Sequence, residues 1–213
     1  MDLYPPPQDW VPPNCILEVD DVNKPWTWTT KFDLIHMRHL NGAFTADEWK
    51  TLYQQAFDNL TPGGWLEHIE PSILMKSDDG SLPADSNLAA FGPLMSSICD
   101  SLGKSANSHA SLSDLASSVG FTNIELRSYK MPLGAWPKTE VWRHAGMVNE
   151  VQWKEGVEGG ALFLLTQIGE PGPTGKKWNA DEVKVLVAKM KSEIGMGWSV
   201  YQEATRIWCQ KPF

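Results

Sequence analysis

Between residues 32 and 70 the sequence runs from a short apolar stretch through a capped amphipathic one to a second short apolar stretch, and few folds accommodate that order. Residues 32–37 (FDLIHM) read as a strand, closed by Arg38-His39 and a turn at Asn41-Gly42. Thr45 with Glu48 three positions on is a capping box, and Trp49, Leu52, Tyr53, Ala56, Phe57 and Leu60 form one apolar stripe at helical spacing. Thr61-Pro-Gly-Gly64 stops that helix, and residues 64–70 (GWLEHIE) read as the next strand. Two strands joined through a helix pair in parallel, because antiparallel neighbours need only a tight turn.

The alternation extends both ways. Five prolines in residues 3–13 impose an extended path, which leads into a short strand at 15–19 that stops at Asp20 and Asp21. Downstream, helical spacing recurs at 88–102 and, behind a cap at Ser111, at 112–119; a strand is expected near 124–131. A helical region spans 139–168 and includes Ala161-LFLL-Leu165, apolar on all sides and expected to be buried. Asn179 and Glu182 cap a last helix, and a final strand covers 204–210. This order predicts a single α/β domain over 1–213, with a mostly parallel sheet of about five strands and helices on both faces. Ligands in such sheets bind beyond the carboxyl ends of the strands.

Composition removes several function classes. The 213 residues carry a formal net charge of -8, and no run of basic residues exceeds two, which excludes the basic stripe of a nucleic-acid binder. No stretch has the apolar length of a membrane span. The acidic, proline-rich start has no secretory or mitochondrial pattern, so a cytoplasmic or nuclear protein is expected. Cys15, Cys99 and Cys209 are widely spaced and lack metal-ligand spacing, so they are expected as buried free thiols with no metal site. Eleven tryptophans exceed ordinary needs; most are expected in the core, with some free to wall an apolar ligand pocket.

The motifs DLYPPPQDWVPPN, LEVDD, FDLIHMRHLNG, LTPGGWLEHIE, DGSLPADS, GFTNIELRSYKMPLGAWPK and a terminal QKP follow one another in a familiar order. In this the chain resembles the fungal LaeA-like class I S-adenosylmethionine methyltransferases of secondary metabolism. The resemblance implies a Rossmann-like methyltransferase sheet whose last strand is antiparallel. It places Asp2 on the adenosyl ribose, Asp20 and Asp21 beside the adenine, and Arg38-His39 near the methionine moiety. It also implies helical elements at 84–119 and 136–178 that cover the pocket. The family's first strand, glycine-rich loop and second strand have no counterpart in these residues, so a truncated fold is expected. The sheet edge left open invites a homodimer.

Individual residues keep two readings. Asp2, Asp20 and Asp21 are cofactor ligands only if a cofactor binds; otherwise Asp2 is a solvated acid and the pair caps a loop. Arg38 and His39 are candidate catalytic residues, or Arg38 pairs with Asp20 or Asp33. Glu67, His68 and Glu70 alternate along one strand, so Glu67 faces away from the other two. His68 and Glu70 are candidate acid–base groups or satisfied interior groups. Phe91, Met95, Trp136 and Trp142 are candidate walls for an apolar substrate. The leading expectation is an enzyme that works without S-adenosylmethionine and promotes cyclisation or isomerisation, of Diels–Alder type, on an apolar metabolite. The alternatives are an S-adenosylmethionine-dependent small-molecule methyltransferase and a non-catalytic partner subunit.

Overall fold

The computed structural model describes residues 11–169 and 176–213; Asp2 lies outside them. The described elements are β1 (Phe32–Arg38), α1 (Ala46–Asn59), β2 (Leu60–Ser77), α2 (Asn87–Ser101), α3 (Leu112–Val119), β3 (Thr122–Pro132), α4 (Glu140–Phe163), α5 (Ala180–Glu193) and β4 (Val200–Gln210). The sheet order is β1-β2-β4-β3. β1 and β2 are parallel, and β4 is antiparallel to both β2 and β3. Three strands therefore share one direction and the last opposes them, as the methyltransferase-type α/β sheet requires.

Local chemistry explains where the helices begin. Thr45 Oγ1 accepts the Glu48 N–H at 3.3 Å while Glu48 Oε2 accepts the Thr45 N–H at 2.7 Å, so both halves of the α1 capping box form. Asn179 and Glu182 do the same for α5. Ser111 does not cap α3: a 3₁₀ turn at Ser108–Ser111 runs straight into that helix, and the Ser111 hydroxyl donates back to Ser108 O at 3.0 Å. The α1 stripe buries Trp49, Leu52, Tyr53 and Ala56 against Leu66, Leu112, Ala116, Ile207 and Cys209. Each large apolar side chain fully buried there contributes about 1.5–3 kcal/mol.

Several expectations change. The sheet has four strands among the described residues, because residues 15–19 find no ladder to join; Val19 makes only an isolated bridge, and β1 forms an edge. α1 and α3 cover one face of the sheet, whereas α2, α4 and α5 gather in a second core with Ile73, Leu133 and Val200, at the carboxyl ends of β2 and β3 and the amino end of β4. The other sheet face carries a polar ladder instead of helices. His36 Nδ1 meets Glu67 Oε2 at 2.7 Å, Arg206 pairs with the other Glu67 oxygen, and the Arg206 guanidinium lies 3.9 Å over Trp208.

Of the described tryptophans only Trp49 is in the buried core; the rest are half-buried or exposed. Phe163 is also exposed, since the helix leaves that one side of Ala161–Leu165 uncovered. Cys99 and Cys209 are buried free thiols, and burial pushes the Cys209 thiol up to about 12, but Cys15 is exposed. Among the described residues no helix is long and apolar enough to cross a membrane, and no cluster of His, Cys, Asp and Glu is placed to hold a metal.

Candidate functional site

The parallel register Met37↔His68 and Arg38↔Ile69 brings the polar end of β1 beside the middle of β2. Alternation then separates them. On β2 the even-numbered residues from 64 to 72 are buried, so His68 and Glu70 point into the packed side with no exposure at all. Glu67 lies on the open face, opposite in sense to its neighbour, as the alternation predicts.

His68 and Glu70 belong to a buried chain of hydrogen bonds. The Tyr53 hydroxyl donates to His68 Nδ1 at 2.8 Å, and His68 Nε2–H donates to Glu70 Oε1 at 2.8 Å. Glu70 also receives the Leu40 N–H on Oε1 at 2.7 Å and the Asn41 N–H on Oε2 at 3.0 Å. Both oxygens of the Glu70 carboxyl therefore accept backbone N–H bonds. Burial, with the Cys209 and Glu70 charges adding to it, raises the Tyr53 pKa well above its usual value, so the phenol keeps its proton. The predicted acid–base pair is thus committed to scaffolding: it ties the β1–α1 turn to β2.

That turn carries His39, whose φ of 59° puts it in the left-handed region. Such backbone costs about 1–3 kcal/mol for a non-glycine residue and persists only where surroundings enforce it. The two Glu70 bonds to the next two N–H groups are that enforcement. Asn41 adds a side-chain bond to Pro71 O at 2.7 Å, at the start of a break in the β2–β4 ladder between Pro71 and Met75. Gln202 Nε2 takes the Ser72 carbonyl in the same break at 2.6 Å. Both carbonyls of this bulge are therefore satisfied within β2.

Two cavities flank His39. The first, about 1480 Å³, lies between β1 and residues 16–30 and is lined by Asp20, Asp21, Trp26, Trp28, Arg38 and His39 among others. The second, about 390 Å³, is lined by His39, Glu70, Ile73, Phe91, Met95, Trp153, Val157 and Gln202 among others. Besides His39, Gln152 of α4 is the one described residue that lines both. His39 is exposed at this junction, yet the protein around it still desolvates its imidazolium. That desolvation, with the Arg38 charge second, lowers its pKa below 6.5, and Glu70 acts in the opposite direction.

The remaining predicted residues divide. Asp20 Oδ1 accepts the Asp21 N–H at 2.8 Å and Asp21 Oδ1 accepts the Asn23 N–H at 3.0 Å, so both acids shape their loop as well as lining the first cavity. Arg38 makes no ion pair with a described carboxylate, Asp20 and Asp33 included. Phe91 and Met95 do line the second cavity. Trp136 and Trp142 do not: Trp136 donates to Val200 O at 2.8 Å, and Trp142 lies on the exposed side of α4. Trp153 takes the wall position instead, its indole N–H donating to Gln202 Oε1 at 2.8 Å. The missed signal was helical spacing, since Asn149, Trp153, Gly156, Val157 and Gly160 share one face of α4.

Of the helical covers, α2 and α4 close the second cavity, while α3 packs with α1 on the sheet. Two glycines let the covers approach. A Cβ on Gly92 of α2 would meet Ile73 O at 2.6 Å, and one on Gly146 of α4 would collide with Gly134 O.

No family model matches the sequence. Among curated proteins it is 33% identical over 192 residues to the methyltransferase pytC of Aspergillus terreus, covering 90% of this chain and 56% of that protein. It is 30% identical over 198 residues to the probable methyltransferase tdiE of Emericella nidulans, covering 92% of this chain and 59% of that one. The protein-methionine methyltransferase laeA of the same fungus is 26% identical over 197 residues, 91% of this chain and 50% of its own. The chain thus spans about half the length of the curated relatives it matches. Among solved structures, a phosphoethanolamine N-methyltransferase from Haemonchus contortus, in complex with phosphomonomethylethanolamine and S-adenosylhomocysteine, aligns with a TM-score of 0.45 at 14% identity. That alignment covers 92% of this chain and 37% of the other, too weak a likeness to bear on function.

Proposed function

We propose that this homologue of the fungal secondary-metabolism methyltransferases supplies the acceptor side of an S-adenosylmethionine-dependent methyl-transfer site, holding an apolar small molecule in its second cavity. The observation that carries the reading is the position of His39, on the wall of both cavities at once. A group that removes a proton from an acceptor as it is methylated must stand at such a junction.

The fit of the cofactor to the described residues is one-sided. Asp20 and Asp21 each have one carboxylate oxygen without a bond to any described residue, and Trp26 and Trp28 offer aromatic surface beside them. Those groups suit the hydroxyls and ring of an adenosyl moiety. No glycine lines this cavity among the described residues, so the close backbone approach that a methionine tail wants is not provided by them. Bound S-adenosylmethionine would supply an electrophilic methyl group. The chain's own residues do the rest. Phe91, Met95 and Trp153 hold the apolar body and exclude water from it. His39 is neutral above its lowered pKa, so its imidazole has a lone pair ready for the acceptor's proton. Glu70 keeps that imidazole in place through the Leu40 and Asn41 amides.

Titration calorimetry with S-adenosylhomocysteine, followed by a transfer assay with methyl-labelled S-adenosylmethionine and a panel of lipophilic phenols and alcohols, tests the reading. Label in the acceptor, and its loss in His39→Ala, supports it. Failure of the cofactor to bind would contradict it and favour the cofactor-independent cyclase. The observation behind that second reading is the apolar wall that Phe91, Met95, Trp153 and Val157 make beside His39. A homodimer through the β1 edge, which is unpaired among the described residues and where Leu34 is 58% exposed, is a separate proposal that light scattering decides.

A further inference from the structure

The second cavity has an uneven distribution of charge. Its walls include Glu70, an acid that is fully buried and accepts two backbone N–H bonds, yet among the described residues they include no lysine or arginine. The groups that bind Glu70 are two backbone amides and His68, and none of them points a spare donor into the cavity. Arg38, the cation nearest in sequence to His39, lines the first cavity and not the second. On the far wall Trp153 and Gln202 are bonded to each other, and Asn149 and Gln152 offer only neutral amides. Gln202 Oε1 accepts the Trp153 indole N–H at 2.8 Å, and Gln202 Nε2 is held by Ser72 O at 2.6 Å.

We propose that the second cavity selects against negatively charged acceptors, with Glu70 as the residue that sets this rule in addition to holding the His39 turn. An anion entering the cavity would shed its water, find no cation to replace it, and meet a fixed negative charge. An uncharged ligand of the same shape loses nothing comparable and gains the apolar contacts of Phe91, Met95 and Trp153. The acceptor class is therefore an uncharged apolar alcohol, phenol or amide, not a carboxylate or phosphate. This deepens the acceptor-site reading and rests on it for the place where the ligand sits.

The test is calorimetry on the full chain at pH 7.5 with two ligands that share one carbon skeleton, 2-naphthylmethanol and 2-naphthoate. The alcohol is expected to bind more tightly than the carboxylate by about tenfold or more, given the cost of an unpaired buried charge. Met95→Trp, which fills the cavity, is expected to abolish binding of the alcohol and so locate it. Val157→Lys adds a cation to the wall without touching Glu70 or His39. It is expected to raise naphthoate affinity about tenfold relative to the alcohol. Equal affinity for both ligands in the wild-type protein would overturn the proposal, as would binding of neither, or a preference that Val157→Lys fails to move. No cofactor or turnover enters this experiment. Discrimination without methyl transfer would therefore remove the methyl-transfer reading and leave the charge rule standing.

Discussion

Two polar pairs stand on neighbouring strands, Arg38-His39 at the end of β1 and His68 with Glu70 within β2, and the protein treats them in opposite ways. The β1 pair is exposed on the walls of cavities, and one member is left in a costly left-handed turn. The β2 pair has no exposure and every visible bond satisfied by Tyr53 and the turn's own amides. The difference teaches that the two pairs form one device. The buried pair holds the strained turn, and the exposed histidine it carries is the group free to do chemistry.

The comparison breaks first at Glu70. Glu70→Ala strips the partner from two backbone N–H groups and from His68, so a loss of about 3–5 kcal/mol in chemical denaturation is expected. A loss under 1 kcal/mol would mean that the turn holds itself. Tyr53→Phe removes one bond and leaves His68 Nδ1 buried without a donor, at an expected cost of about 1–3 kcal/mol in the same measurement. On the open face, Glu67→Gln disturbs the pairs with His36 and Arg206, which solvent screens. Its expected effect is under about 1 kcal/mol, and a larger one would show that this face is buried in the working protein.

Much of this was legible in advance for identifiable reasons. The α1 and α5 boundaries follow from capping boxes, which are local chemistry and form as written. The reversed last strand came from the family resemblance, and the ladder agrees. What stayed hidden depends on distant partners. Residues 15–19 look like any short strand, but a strand exists only with a ladder beside it. His68 and Glu70 look like His39 in sequence; only the pairing with α1 and the β1–α1 turn makes them interior. Trp136, Trp142 and Trp153 were equivalent by residue type, and the rotation of α4 against the β3 end, set by the Gly146–Gly134 contact, put only Trp153 on the cavity.

The central claim is that His39, held by Glu70, accepts the proton of an acceptor undergoing methylation. The most direct test is the pH dependence of labelled methyl transfer in the wild-type protein and in His39→Ala. A neutral imidazole is required, so the wild-type rate is expected to rise with pH through the lowered His39 pKa and to level off above 6.5. In His39→Ala the rate is expected to fall by about 10²-fold and this acidic limb to vanish. An unchanged rate with the same acidic limb in His39→Ala would contradict the account.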